Sequence, residues 1–124
     1  MNGKGDQLSD RLLDFIVRVI KTVDSLPNTG AGRHIGGQLV GAGTSCGANY
    51  EEGCGAESRS DFVHKMSIVL KELKETRFWL RPYIGPKCLP RKISSLCWML
   101  DECGELCAII GKTVSTAKKK RIDH

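Results

Sequence analysis

The chain has 124 residues, 40% of them hydrophobic and 27% charged, a length at which one core buries a little under ~70% of the surface exposed by the unfolded chain. No apolar run approaches the ~18 residues of a membrane span, and the apolar content argues against wholesale disorder. Nineteen Lys and Arg against fourteen Asp and Glu leave a net charge of +5, which biases association toward polyanions.

The opening Met1-Asn2-Gly3-Lys4-Gly5-Asp6 carries no apolar h-region and no small-residue cleavage site, so a reducing cytoplasm is the expected compartment. From there Leu8, Leu12, Phe15, Ile16, Val19, Val23 and Leu26 recur at three- and four-residue steps, the spacing of one helical face. Pro27-Asn28-Thr29-Gly30 then ends that helix in a turn. A second helix is expected over about 32–52, with Ile35, Leu39, Ala42, Cys46 and Tyr50 on one face. It also holds Gly36, Gly37, Gly41, Gly43 and Gly47. At roughly 1 kcal/mol each, these glycines would cost an isolated helix ~5 kcal/mol, so close packing against neighbours must compensate.

Gly53-Cys54-Gly55-Ala56 reads as the stop of this helix, and Ser58-Arg59-Ser60-Asp61 has the spacing of a capping box. The third helix presents Phe62, Met66, Val69, Leu73 and Leu80 and is expected to reach about Arg81, where Pro82 and then Gly85-Pro86-Lys87 interrupt it. Pro90 suits the first turn of a fourth helix, along which Ile93, Leu96, Leu100, Cys103, Cys107, Ile110, Val114 and Ala117 keep the helical rhythm.

Four amphipathic helices with no period-two strand specify an all-α, antiparallel up-and-down four-helix bundle. Residues 1–7 are expected to be a flexible lead, 8–118 the bundle, and 119–124 a basic tail. A second apolar row lies off the main seams: Leu13, Val17 and Ile20 on the first helix, Ile68 and Trp79 on the third, Trp98 and Met99 on the fourth. Such rows either broaden the core face or form contacts between subunits, and Ile68, Trp79 and Trp98 are the candidate interface residues.

Gln38-Leu39-Val40 followed by Thr44-Ser45-Cys46-Gly47-Ala48-Asn49-Tyr50-Glu51-Glu52-Gly53 resembles the pattern Q-L, then S-x-x-A-N-x-x-E-G. Asp61-Phe62-Val63-His64-Lys65-Met66-Ser67-Ile68 resembles the D-F-x-x-x-L-x-I-A that begins the next helix in the same family, the four-helix-bundle proteins of intervening sequences in bacterial 23S rRNA genes. Glu75-Thr76-Arg77-Phe78-Trp79-Leu80-Arg81 is similar to a segment of the related accessory variability determinant of diversity-generating retroelements. Cys46 and Tyr50 depart from the family pattern, which has a larger aliphatic and an isoleucine there. The resemblance spans about residues 10–117. It implies an antiparallel bundle assembling into a homo-oligomeric ring, a homopentamer, without established enzymatic activity, and nucleic-acid binding is carried over from the retroelement relative. Within the motif, Asn49, Glu52 and Gly53 read as structural positions.

The six cysteines include no C-x2-C pair and no accompanying histidine spacing, which speaks against zinc. Cys46, Cys103 and Cys107 fall on apolar seams, where cysteine behaves as a small hydrophobe. A di-metal bundle site needs two E-x-x-H steps, and Asp61-x-x-His64 is the one comparable step. P-loop, G-x-S-x-G and dinucleotide fingerprints are missing from the sequence, so no catalytic residue, metal or cofactor is assigned.

If the helices alternate in direction, the ends of helices one and three share a pole with the starts of helices two and four. That pole gathers Lys21, Arg33, His34, Lys74, Arg77, Arg81, Lys87, Arg91 and Lys92, whereas Asp6, Asp10, Glu51, Glu52, Glu57 and Asp61 gather at the other beside the tail Lys118-Lys119-Lys120-Arg121. Arg91 and Lys92 would sit in the first turn of a helix, where its dipole disfavours cations. Arg33, Arg77, Arg81, Lys87, Arg91 and Lys92 are therefore the candidate residues for binding RNA or DNA backbone in a non-catalytic, homo-oligomeric protein. The alternative is a protein-interaction scaffold with no nucleic-acid role, and no membrane partner is expected.

Overall fold

The computed structural model describes residues 4–84 and 94–122. Its helices are α1 (Lys4–Asp24), α2 (Gly30–Cys54), α3 (Arg59–Ile84) and α4 (Ser94–Ile122), with no strand among the described residues. α1 lies against α2 and α4, and α3 packs against the same two helices from the opposite corner, while the diagonal backbones stay apart. The short connections at 25–29 and 55–58 turn each helix back along its predecessor, the up-and-down arrangement of a four-helix bundle. No described helix is long and apolar enough to cross a membrane.

The core is built as the spacing requires. Leu12, Phe15 and Val19 of α1 meet Leu39, Cys46 and Tyr50 of α2, Met66, Val69, Leu73 and Leu80 of α3, and Cys103, Leu106 and Ile110 of α4, all essentially inaccessible. Each large aliphatic buried in this way stabilises the fold by ~1.5–3 kcal/mol. Two seams differ from the expected ones. On α4 the buried row is Met99, Cys103, Leu106, Ile110 and Val114, with Leu96, Leu100 and Cys107 only half-buried. Met99, expected off the seam, is thus a core residue. Two rows one position apart share the same rhythm, so spacing alone cannot choose between them. On α3 the gap between Leu73 and Leu80 is filled by fully buried Thr76, whose hydroxyl donates to the Glu72 carbonyl at 2.8 Å and so carries no unmet polar group into the core.

Helix ends follow local chemistry. Thr29 caps α2, its Oγ1 accepting from Gly32 N at 3.0 Å, and Ser58 Oγ does the same for Asp61 N at 3.0 Å ahead of α3. At the C-terminus of α2, Gly55 N donates to the carbonyls of Glu51 and Glu52, both at 3.2 Å. Pro82 does not stop α3, which continues through it to Ile84. The hydrogen bond that proline forfeits would have gone to the carbonyl of Phe78, an exposed residue in the last turns of the helix, so the interruption expected of an interior proline does not develop. The fourth helix begins at Ser94 within the described region, and Pro90 lies outside it.

α2 is one continuous helix despite its glycines. Gly36, Gly43 and Gly47 face α1: a Cβ there would stand 3.0 Å from Val23 Cγ1, 3.3 Å from Val19 Cγ1 and 2.5 Å from Ile16 Cδ1. The missing side chains let α1 settle into the α2 surface. Gly32 is tighter still, since a Cβ there would lie 2.1 Å from the backbone oxygen of Pro27, an atom that cannot swing aside. Around Gly37, by contrast, nothing lies within 4 Å of the Cβ position.

A polar tie closes the remaining corner. Arg11 of α1 grips Glu102 of α4 through Nε–Oε2 at 2.8 Å and Nη2–Oε1 at 2.7 Å, and Nη2 also reaches Glu105 at 2.9 Å. Glu102 is 9% exposed, and its hydrogen bond to Arg11 is the main cause that raises the guanidinium pKa above its ordinary range.

The glycine geometry predicts opposite signs for the same substitution on one helix. Gly32→Ala should destabilise the fold by about 1–3 kcal/mol through overpacking, and Gly37→Ala should stabilise it by up to about 1 kcal/mol through helix propensity. Denaturant unfolding followed by circular dichroism at a fixed protein concentration measures both.

Candidate nucleic-acid interface

The antiparallel order brings the C-terminal ends of α1 and α3 beside the N-terminal end of α2. Lys21, Arg33, His34, Lys74, Arg77 and Arg81 are all exposed there. Lys87, Arg91 and Lys92, the other candidates for this end, lie outside the described residues. Elsewhere Arg11 pairs with Glu102 and Glu105, Arg18 with Asp14 at 3.7 Å, and Lys65 with Glu52 at 2.6 Å, whereas Lys71, Lys112, Lys118 and Lys119 have no carboxylate partner among the described residues. Among the described residues, Lys21, Arg33, Lys74, Arg77 and Arg81 form no such pair. Arg33 Nη1 instead donates to the neutral amide oxygen of Asn28 at 2.9 Å.

Aromatic rings are set into this basic end. His34 of α2 and Trp79 of α3 meet edge to face at 5.8 Å, and Phe78 meets Trp79 at 5.0 Å, each pair with an interplanar angle of 81°. Such T-shaped pairs are worth ~0.5–1.5 kcal/mol beyond the area they bury. Trp79 is half-buried against the core, and its Nε1 is inaccessible without a hydrogen-bond partner. Phe78 remains 61% exposed.

The candidate interface residues are all half-buried in the single chain. Trp79 packs as just described, Trp98 lies under the Arg18 guanidinium, 4.2 Å from its ring centroid, and Ile68 sits on α3. Among the described residues, the apolar side chains left most open are Leu13, Val17, Ile20 and Phe78. The first three recur along one flank of α1.

The motif residues Asn49, Glu52 and Gly53 lie at the opposite end of α2. Asn49 Nδ2 donates back to Ser45 O at 2.9 Å and Ser45 Oγ at 3.0 Å. Glu52 accepts from Lys65 of α3, which raises the lysine pKa, and Gly53 is buried where a Cβ would stand 2.5 Å from Met66 Cε. Nearby, Ser9 of α1 donates to Glu51. The Asn49 bonds stay within α2, and the contacts of Glu51, Glu52 and Gly53 join it to α1 and α3.

Three cysteines gather between α2, α3 and α4. Cys46 Sγ donates to Ala42 O at 3.2 Å and Cys103 Sγ to Leu73 O at 3.0 Å. Burial pushes the Cys46 thiol up to about 12. Cys103 and Cys107 titrate as a pair. Their mutual hydrogen bond raises Cys103 and lowers Cys107, and the cations Arg77 and Lys74 lower Cys107 further. Cys54 is exposed. Cys97 is disulfide-bonded, which a reducing compartment would not favour. No group of three His, Cys, Asp or Glu among the described residues is placed to hold a metal.

The sequence reasoning did not single out Phe78, the Arg11–Glu102–Glu105 tie or the pairing of Cys107 with the α3 cations. For Phe78 a signal was present, since Lys74 and Arg81 stand at i−4 and i+3 and therefore share its helix face. The other two join helices far apart in sequence and leave no local pattern.

A groove of about 830 Å³ lies at the other end of the bundle among Ser58, Arg59, Phe62, Ile109, Lys112 and Thr113.

The thiol arrangement makes a test of its own. Only the thiolate is nucleophilic, so iodoacetamide near neutral pH should label Cys107 well ahead of Cys46 and Cys103. The Cys107 rate should climb with pH and level off below the range of an ordinary thiol. Peptide mass spectrometry over a pH series reads this directly, and Arg77→Gln should move the plateau to higher pH.

Residues 7–112 match the family described as 23S rRNA-intervening sequence protein. The chain is also similar to a crystal structure from Bacteroides thetaiotaomicron VPI-5482 of a protein with unknown function from the S23 ribosomal protein family. That likeness has 29% identity and a TM-score of 0.77, covering 91% of this chain and 99% of the other. No curated protein matches the chain.

Proposed function

This chain belongs to the 23S rRNA-intervening sequence protein family, and from its charge and exposure we propose that it is a non-catalytic, self-associating helical bundle whose basic end binds the backbone of RNA or DNA. One observation carries the reading: Lys21, Arg33, Lys74, Arg77 and Arg81 are exposed together at this end, and none of them has a carboxylate partner among the described residues. Clustered cations raise the local positive potential and lower the free energy of an arriving polyphosphate. Each phosphate contact also releases condensed counterions, so affinity falls steeply with salt and carries little sequence information. Lys87, Arg91 and Lys92 belong to the same proposal through their place in the sequence.

Self-association is supported by the open apolar flank of α1 and by the neighbouring surface of α2, where no charged residue occurs between Ile35 and Tyr50. Uncharged, partly apolar surface is what a subunit contact requires. The family resemblance implies a ring of five, in which modest contacts to one polyanion would reinforce each other. The cytoplasm remains the proposed compartment. The same apolar flank is what favours the second reading, a scaffold that docks another protein. A complex captured from lysate that survives nuclease treatment, with no affinity for purified RNA, would select it.

Two measurements test the main reading. Titration of a fluorescently labelled RNA at two salt concentrations should show binding that weakens with salt, and the double charge reversal Arg77→Glu with Arg81→Glu should lower affinity at least about ten-fold while flattening the salt slope by ~0.7 per lost contact to a single strand. Unchanged affinity in that variant would sink the proposal. For assembly, Leu13→Glu with Val17→Glu should convert the sedimenting species to a folded monomer, and a wild-type protein already monomeric at micromolar concentration would refute self-association.

A further inference from the structure

We infer that the basic end selects single-stranded over duplex nucleic acid, with the Phe78 ring as the platform on which an unpaired base stacks. This rests on the nucleic-acid reading above and narrows its substrate class. The geometry is that of an aromatic set within a row of cations. Phe78 is 61% exposed although Thr76 and Leu80, two residues to either side, are completely buried. The core face of α3 therefore lies elsewhere, and Phe78 projects from the outer side of the bundle. Its ring is nonetheless held, edge to face against half-buried Trp79, which is itself braced by His34 from α2. A ring positioned before binding loses little freedom when a base is laid on it.

The cations lie where a strand needs them. Lys74 at i−4 and Arg81 at i+3 share the face of Phe78, both exposed. Lys71 extends the row, so that Lys71, Lys74, Phe78 and Arg81 run along about 15 Å of helix surface at 1.5 Å per residue. Glu72 and Glu75 on the same stretch are half-buried. Arg77 and, across the α2–α3 seam, Arg33 add positive charge beside the row. A flexible strand can place phosphates on Lys74 and Arg81 and turn the base between them onto Phe78. In a duplex the bases are paired and stacked on each other, so only the phosphate contacts remain. Every base has a π-face, so stacking of this kind discriminates strandedness without reading sequence.

The test uses three probes of equal length: a twelve-nucleotide oligothymidylate, the same phosphodiester chain lacking its bases, and a twelve-base-pair duplex, each titrated by fluorescence anisotropy into the full-length protein. Wild-type protein should bind oligothymidylate about ten-fold more tightly than the abasic chain, within the range measured for one stacked base. Phe78→Ala should reduce oligothymidylate binding to the abasic level, and Phe78→Trp should restore the preference. Arg77→Glu with Arg81→Glu should weaken binding of all three probes. Equal affinity of the wild type for oligothymidylate and the abasic chain would overturn the inference while leaving phosphate binding standing, as would a preference that survives Phe78→Ala. A change in sedimentation of the Phe78→Ala protein would overturn it too, by assigning the ring to a contact between copies. If no probe binds, the nucleic-acid reading itself falls, and this one with it.

Discussion

The shape of the bundle depends on α1 and α3 closing around a helix that would not hold together alone. α2 has five interior glycines between Gly36 and Gly47 and no charged residue from Ile35 to Tyr50, so it lacks both favourable propensity and charged pairs along its surface. Its stability comes from outside: from the burial of Leu39, Ala42, Cys46 and Tyr50, from the Thr29 cap, and from the close seat that glycines give to Ile16, Val19 and Val23 of α1. Both ends of α2 are placed by the same packing. Its first turns carry Arg33 and His34 to the basic end, and its last turns carry Glu51 and Glu52 to Ser9 and Lys65. The geometry of the proposed binding surface is thus a consequence of how a weak helix is supported.

Charge is distributed along the bundle in a way that net charge conceals. Away from the basic end, Arg11, Arg18 and Lys65 are matched with Glu102, Glu105, Asp14 and Glu52, and the Arg11–Glu102 contact is desolvated enough on the glutamate side to matter to stability. At the basic end the cations face water. Surface ion pairs contribute little to stability, about 0–1 kcal/mol each, so leaving these cations unmatched costs the fold little. What it changes is the potential at one end, which acts on an approaching polyanion.

Much of the fold was legible because helical periodicity depends on local spacing, which a sequence displays directly. Four helices, their order and most of the core could be read from it, as could the Ser58 cap. The failures have physical reasons. Met99 and Trp98 are neighbours in a run where two adjacent rows keep the same rhythm, and only the packing of the neighbouring helices, Thr22 of α1 among them, shows that Met99 turns inward. Thr76 was invisible as a core residue because its polarity is satisfied by a carbonyl one turn back, a bond that composition does not reveal. Pro82 was read as a stop because prolines break helix interiors, yet its place in the final turns leaves little helix to break. The basic end was legible as a set of charges, but which of them go unpaired is a three-dimensional fact. Phe78 drew no reading of its own, because its exposure is set by how α3 is turned against the bundle.

The contacts of the chemistry-bearing side chains separate structural groups from the residues of the proposed binding surface. Glu102 and Glu105 are engaged by Arg11, and Glu52 by Lys65. His34 braces Trp79, and Cys103 hydrogen-bonds the Leu73 carbonyl within the core. Each of these contacts joins one helix to another, so the groups are held in structural roles. Arg33, Arg77, Arg81 and the ring of Phe78 are different. They are fixed by the packing beneath them, reach solvent together at one end, and keep their charge or π-face uncommitted. A bundle whose interior is filled by side chains meets other molecules through its surface, and the surface proposed for binding has the sign and the aromatic character suited to a flexible polyanion that carries bases.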